Sequence, residues 1–153
     1  MGKLASSFSN LSPFIATIIF AAYFINNKYY LLGMIFIAQL LSDITHGFYL
    51  SNLTVYIAYF LIIIVIYNSM NNVNIFNSLW HALYANLIFY LISNIGHFIV
   101  FSETYTFISL LNNYHQSIPF TFNLLVSTIF FIILFHALLT IYKRWLAKGL
   151  REI

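Results

Sequence analysis

The sequence predicts an all-α, polytopic transmembrane helical bundle of about six membrane segments, forming one integral membrane domain over residues 1–153. Three observations carry this prediction. From Tyr29 to Tyr142 only Asp43 and Glu103 are charged. The whole chain is 62% hydrophobic and 6% charged, against about 25% charged in soluble domains. Apolar runs alternate with short polar breaks along the entire length. A water-facing surface needs charge, so a chain built this way has lipid as its solvent, and helices satisfy their own backbone there.

The first predicted segment is Leu11 to Ile25, with Pro13 in its first turn, where a missing N–H does no harm. Lys3 followed by this run resembles a signal peptide. A second apolar run follows at once, however, so the reading is a membrane segment. Asn26-Asn27-Lys28 ends it, and Tyr30 to about Ile44 is the second segment. His46 to Asn52 is a break, and Leu53 to Tyr67 is the third segment. Asn68 to Ser78, rich in Asn, is the clearest loop, and Leu79 to Ile95 is the fourth segment. Gly96 to Thr104 reads as a break. Tyr105 to Leu111 is too short to span at about 1.5 Å per residue, so it is a tilted fifth span or a re-entrant segment. The last segment is Pro119 to Tyr142, with Pro119 in its first turn.

Four basic residues, Lys143, Arg144, Lys148 and Arg151, follow the last run. Basic residues beside an apolar run mark the cytoplasmic side rather than a nucleic-acid site. The expected location is the inner (cytoplasmic) cell membrane, multi-pass, with a cytoplasmic C-terminus. Six spans also put the N-terminus in the cytoplasm, which leaves Lys28 outside. The absence of cysteine excludes disulfides, thiolate metal sites and a cysteine nucleophile.

A carboxylate at membrane depth costs about 2.5–3.5 kcal/mol on insertion scales, so it faces protein or water and often has a task. Asp43 and His46 stand three apart and share a helix face, which suits a ligand clamp, a proton relay or a helix-end latch. Two ligands alone do not specify a metal. In the six-span reading Asp43, His46, His97, Glu103 and His136 fall toward the cytoplasm, and His81 and His115 toward the outside. Gln39, Asn86, Ser93, Asn94, Asn123, Ser127 and Thr128 lie within spans, where interhelical bonds are worth about 1 kcal/mol. Asn94-Ile95-Gly96 ends the fourth segment and frees backbone groups, making Asn94 the foremost ligand candidate. Tyr29, Tyr30, Trp80, Tyr142 and Trp145 fit interfacial belts. No phosphate-binding loop, H-E-x-x-H or G-x-S-x-G occurs, and nothing orients a serine–histidine pair. The expectation is therefore no enzyme, no metal and no cofactor.

Several pieces recur together in one family. Asn10-Leu11-Ser12-Pro13-Phe14-Ile15-Ala16 and then Ala21-Ala22-Tyr23-Phe24 resemble its opening N-F-S-P-x-x-A…G-A-Y-F. Ser42-Asp43 resembles the S-D that closes its second run, and Ser93-Asn94-Ile95-Gly96 its t-N-f-G element. Tyr105-Thr106, Tyr114, Ile118-Pro119-Phe120 and Asn123 resemble its Y-x-x-T…Y…I-P-F…N stretch. The family comprises small multispanning membrane proteins of unknown function. It is distantly similar to the substrate-binding (S) components of energy-coupling-factor vitamin transporters. That resemblance implies a six-helix bundle with a ligand pocket toward the outer face. His97-Phe98 stands where a tryptophan follows N-x-G in the family, and Ala16 and Ala21 do not form an A-x-x-x-A docking motif.

The first functional expectation is a small-solute binding or transport component resembling an S component. Its lining would be Asn10, Asp43, Asn94, Tyr105, Tyr114 and Asn123. The second is a structural or accessory subunit of a larger membrane complex. Expected partners are the lipid bilayer, other membrane subunits and a small-molecule solute, with no nucleic acid.

Overall fold

The computed structural model describes residues 12–69 and 73–149. They form five α-helices: α1 (Phe14–Phe24), α2 (Lys28–His46), α3 (Asn52–Ser69), α4 (Ile75–Phe101) and α5 (Phe107–Gly149). The expectation of an all-α membrane protein holds. The expectation of about six spans is corrected: α3, α4 and α5 are the helices long and apolar enough to cross a membrane. α1 is apolar but has only 11 residues, about 16 Å at 1.5 Å per residue.

α2 has 19 residues but does not reach the apolarity of the three. Three boundaries also differ from the sequence reading, and the last of them removes one segment. Ile75 to Ser78 belongs to α4 rather than to a loop, because Asn74 caps the helix by accepting from the Phe76 N–H at 3.1 Å. Gly96 does not break α4, which continues to Phe101. The glycine is there for packing: a Cβ on it would collide with Thr54 Oγ1 and sit 2.6 Å from Cγ2 and 2.7 Å from Cβ of that residue. The segments expected at 105–111 and 119–142 are not separate: from Phe107 onward they form one 43-residue helix, with Pro119 in its interior and Tyr105 in the turn before it. That helix starts where Thr106 and Ser109 bond reciprocally, each side-chain oxygen accepting from the other's backbone N–H at 3.2 and 3.1 Å.

α1 touches every other helix. It is apolar on all sides, as a helix enclosed by others must be, and Ile15, Ala16, Ile18, Ile19 and Ala22 are essentially inaccessible. Ile62, Ile63 and Ile66 of α3, Ala82 and Ala85 of α4, and Ile132 of α5 close around it. α2 packs on α3 and α1 only. The outer surface carries exposed Phe, Ile and Leu on α2, α3, α4 and α5, with Met34 on α2 and Phe24 on α1. Apolar exposure on that scale fits lipid rather than water.

Hydrogen bonds fix which ends lie together. Tyr23, Ser69, Ser78, His81 and His136 meet at one end, joining α1, α3, α4 and α5. At the other end Asp43 meets Tyr56, and Asn94 and His97 meet Asn113. Consecutive helices from α2 to α5 therefore run antiparallel. The first end is called the basic end here, because Lys28 begins α2 there and Lys143 and Arg144 follow on α5. The opposite, acidic end holds Asp43 and, in the α4–α5 turn, Glu103. This arrangement corrects the expected grouping of histidines. His81 and His136 share one end, both bonded into the Tyr23–Ser78 cluster, and His97 lies at the other.

Between the tie points Ser78–His136 and Asn94–Asn113, α4 advances 16 residues and α5 advances 23. The difference is worth about 10 Å of helix, so α5 takes the longer path. Pro119 lies within that interval, where its missing N–H and its ring's clash with the carbonyl four residues back favour a bend.

Most of the polar residues expected to tie helices together bond to their own helix instead. Asn86, Ser93, Asn94 and Thr128 each donate to the carbonyl four residues back, at 2.6–2.9 Å. Short polar side chains reach that carbonyl more readily than a neighbouring helix. Ser127 is the exception and donates to Ser12 O at 3.1 Å. The longer tyrosine arms do the interhelical work. Tyr67 donates to Ile25 O, Tyr90 to Tyr114 O at 3.0 Å and Tyr114 to Leu91 O at 2.8 Å.

A candidate solute cavity at the acidic end

α3, α4 and α5 enclose a cavity of about 450 Å³ at the acidic end. Each helix presents one face to it. α5 supplies Asn113, Gln116, Ser117 and Phe120, spaced i, i+3, i+4, i+7. α4 supplies Phe89, Ser93, Asn94 and His97, Val55 comes from the first turn of α3, and Ser51 from the residue just before it. A smaller hollow of about 220 Å³ shares His97, Asn113 and Gln116 with it and reaches toward Ser102 and Ser109. The lining sets polar side chains among the apolar Val55, Phe89 and Phe120 and carries no acid and no Lys or Arg.

The hydrogen bonds set the chemistry of the one titratable group. Asn113 Nδ2 donates to Asn94 O at 3.0 Å, which turns Asn113 Oδ1 toward His97. That oxygen can only accept, so His97 Nδ1 donates to it across 2.8 Å. In the neutral ring His97 Nε2 is then a bare acceptor or base. The His97 ring also packs on Phe101, with centroids 4.9 Å apart. Asn94 holds the α4 side by donating to Tyr90 O at 2.7 Å. Gly96 lets α3 approach α4 closely here, and the cavity depends on that approach.

The residues expected to line a site separate into several places. Asn94 lines the cavity and is buried. Asn10 lies outside the described residues. Asp43 is buried but faces α3, accepting from Gln39 Nε2 at 2.8 Å and Tyr56 OH at 2.7 Å. Neither partner is a cation. Tyr105 is exposed in the α4–α5 turn, where it donates to Ile99 O and stands edge-on to Phe98. Tyr114 packs against Tyr90 at the α4–α5 contact, with ring centroids 5.3 Å apart. Asn123 is exposed on α5, beyond the cavity. Asn113, Gln116 and Ser117 were not singled out from the sequence. Their i, i+3, i+4 spacing was a readable signal, but it fell between two predicted segments, in residues assigned to neither.

The cluster at the basic end has a different character. His81 lies between Tyr23 OH, 3.1 Å from Nδ1, and Ser69 Oγ, 3.0 Å from Nε2. Ser69 gives its proton to Val65 O at 2.7 Å, so His81 Nε2–H donates to Ser69 and Nδ1 accepts from Tyr23. Each ring nitrogen is committed, which is the pattern of a structural joint. No group of three or more His, Asp or Glu side chains suited to a metal occurs among the described residues.

A profile for a family of unknown function, DUF6580, matches residues 1–148. The chain belongs to that family. The match covers both the helical core and the cavity residues. The sequence-based resemblance to small multispanning proteins of unknown function agrees with it. No curated protein and no solved structure matches the chain.

Proposed function

We propose that this DUF6580 protein is a membrane component that binds a small, uncharged, hydrogen-bonding solute in the α3–α4–α5 cavity, as a binding or transport component would. The observation that carries the reading is the cavity itself. At about 450 Å³ it falls in the size range of small-molecule sites, which are commonly lined by apolar and aromatic side chains with a few placed polar groups. Phe89, Phe120 and Val55 would hold an apolar or aromatic body. Gln116, Ser93, Ser117 and His97 Nε2 would meet its polar rim. A lining without charge disfavours an anionic or cationic solute, whose own charge would be buried unpaired.

The distribution of charge supports an orientation. Lys28, Lys143 and Arg144 lie at one end and Asp43 and Glu103 at the other. Basic flanks face the cytoplasm, so the C-terminal end of α5 would be cytoplasmic in an inner membrane and the cavity would open outward. Lys28, which the six-span reading put outside, then obeys the same rule. Transport would need membrane partners to supply energy, and α2 offers a surface for them. It packs on one side only, leaving Met34, Phe36, Ile37, Leu41 and Ile44 exposed.

Mass spectrometry of protein purified from its own membranes in mild detergent tests the proposal. A small neutral molecule should be retained by the wild type and lost, at least tenfold, from Gln116→Leu and His97→Phe. Both residues are exposed at the cavity, so the folded bundle should survive. The reading fails if nothing small is retained, or if both folded variants retain it equally.

A further inference from the structure

A second opening lies at the basic end, on the opposite side of the bundle from the solute cavity. There α1 and α5 leave a shallow groove of about 480 Å³ on the bundle surface, with Phe20 and Phe135 touching at its base, ring centroids 5.3 Å apart. Phe20 and Phe24 form one wall, and Phe135, Leu138, Leu139 and Tyr142 form the other. The α5 residues follow an i, i+3, i+4, i+7 stripe, so one face of the helix makes the whole wall. Thr17 and Tyr142 carry the lining's hydroxyls. A slot with these walls suits a hydrocarbon chain.

What lies at its mouth narrows the occupant. At 100° per residue, from 3.6 residues per turn, Lys143 stands about 90° from the centre of the groove stripe. Trp145 stands about 70° to the other side, and Arg144 points away. Lys143 and Trp145 therefore flank the mouth, and both are exposed. No acid among the described residues lies at this end, since Asp43 and Glu103 are both at the other. The lysine has no counter-charge in the described protein, stands at the membrane-surface end of an apolar slot and is paired with an indole. That arrangement calls for an anion carried on a hydrocarbon chain.

We propose that the α1–α5 groove is a binding site for an anionic phospholipid, with one acyl chain between Phe20 and Leu138 and the phosphate headgroup against Lys143. The site is distinct from the solute cavity and does not depend on what that cavity binds. Basic pockets between membrane helices on the cytoplasmic side hold such headgroups by the same attraction.

Trp145 is a built-in reporter. In the full chain carrying Trp80→Phe it is the only tryptophan. The protein is reconstituted in phosphatidylcholine vesicles, and Trp145 quenching is measured with phosphatidylglycerol or phosphatidylcholine brominated near the glycerol. Phosphatidylglycerol should be preferred about fivefold, the factor expected for one lysine near the surface. Lys143→Gln should abolish the preference, and Arg144→Gln should leave most of it. Ala21→Phe, which fills the groove, should weaken quenching by both lipids. Equal quenching by the two lipids in the Trp80→Phe protein overturns the proposal. So does an equal loss from Lys143→Gln and Arg144→Gln, because the preference would then be a surface-potential effect with no site behind it. Both charged positions are exposed, so their variants should fold. If Ala21→Phe does not, the comparison of the other variants still decides.

Discussion

Gly96→Ala should be among the most damaging single changes in the bundle. The new methyl would overlap Thr54, and rotating the threonine does not relieve it, because Thr54 Cβ itself is 2.7 Å away and moves only with the backbone. α3 and α4 must separate, and the cavity that rests on their approach must widen. Overpacking costs about 1–3 kcal/mol where side chains can adjust. Here a helix pair has to move, so a loss of about 3 kcal/mol is expected. Small residues are what let membrane helices approach this closely. Thermal unfolding in detergent, followed by circular dichroism, should show the loss. Thr54→Ala in the same chain should restore part of it, since it removes Oγ1 and Cγ2 but leaves Cβ. An unchanged melting temperature for Gly96→Ala would mean that α3 and α4 are not packed as described.

Asp43→Ala should have the next largest effect. It leaves the Gln39 amide and the Tyr56 hydroxyl without their acceptor in a buried place. Losing a hydrogen bond to a charged or buried acceptor costs about 1.5–3 kcal/mol, and about 2 kcal/mol is expected because both partners are only half-buried. Tyr56→Phe should cost about 1 kcal/mol. Asp43→Asn should be mild: its oxygen still accepts from Tyr56, and the Gln39 amide can turn its own oxygen toward the new NH₂. The set separates two roles. A latch between α2 and α3 gives this graded stability series with solute retention unchanged in Asp43→Asn. Loss of solute from a stable Asp43→Asn would make the carboxylate part of the site.

The class of fold was legible because its cause is global. A stretch of more than a hundred residues holding two charges can only be solvated by lipid. Boundaries were harder, for a local reason. Gly and Pro mark breaks in water, but within a membrane bundle neighbouring helices can compensate for them. Gly96 thus reads as a break when it is a contact, and Pro119 reads as a start when it lies inside α5. Fusing the last two segments reverses the end at which His136 lies and explains why it meets His81's neighbours. Of the cavity residues, Asn94 was legible from its place beside Gly96. Asn113, Gln116 and Ser117 were not, because their partner face on α4 is set by an antiparallel pairing that one sequence does not display. Asp43 was conspicuous for its rarity, and its two uncharged partners come from helix faces whose pairing appears only in the fold.

The proposed solute cavity, free of acids, Lys and Arg, would open on the side of the membrane opposite the basic end. The cysteine-free chain makes its test clean. Gln116→Cys and Lys143→Cys, introduced singly, are exposed to a membrane-impermeant thiol reagent in right-side-out spheroplasts and again after permeabilisation. Gln116→Cys should be labelled while the membrane is intact, and Lys143→Cys only after it is opened. Labelling of Lys143→Cys in intact spheroplasts, with Gln116→Cys protected until permeabilisation, would contradict it.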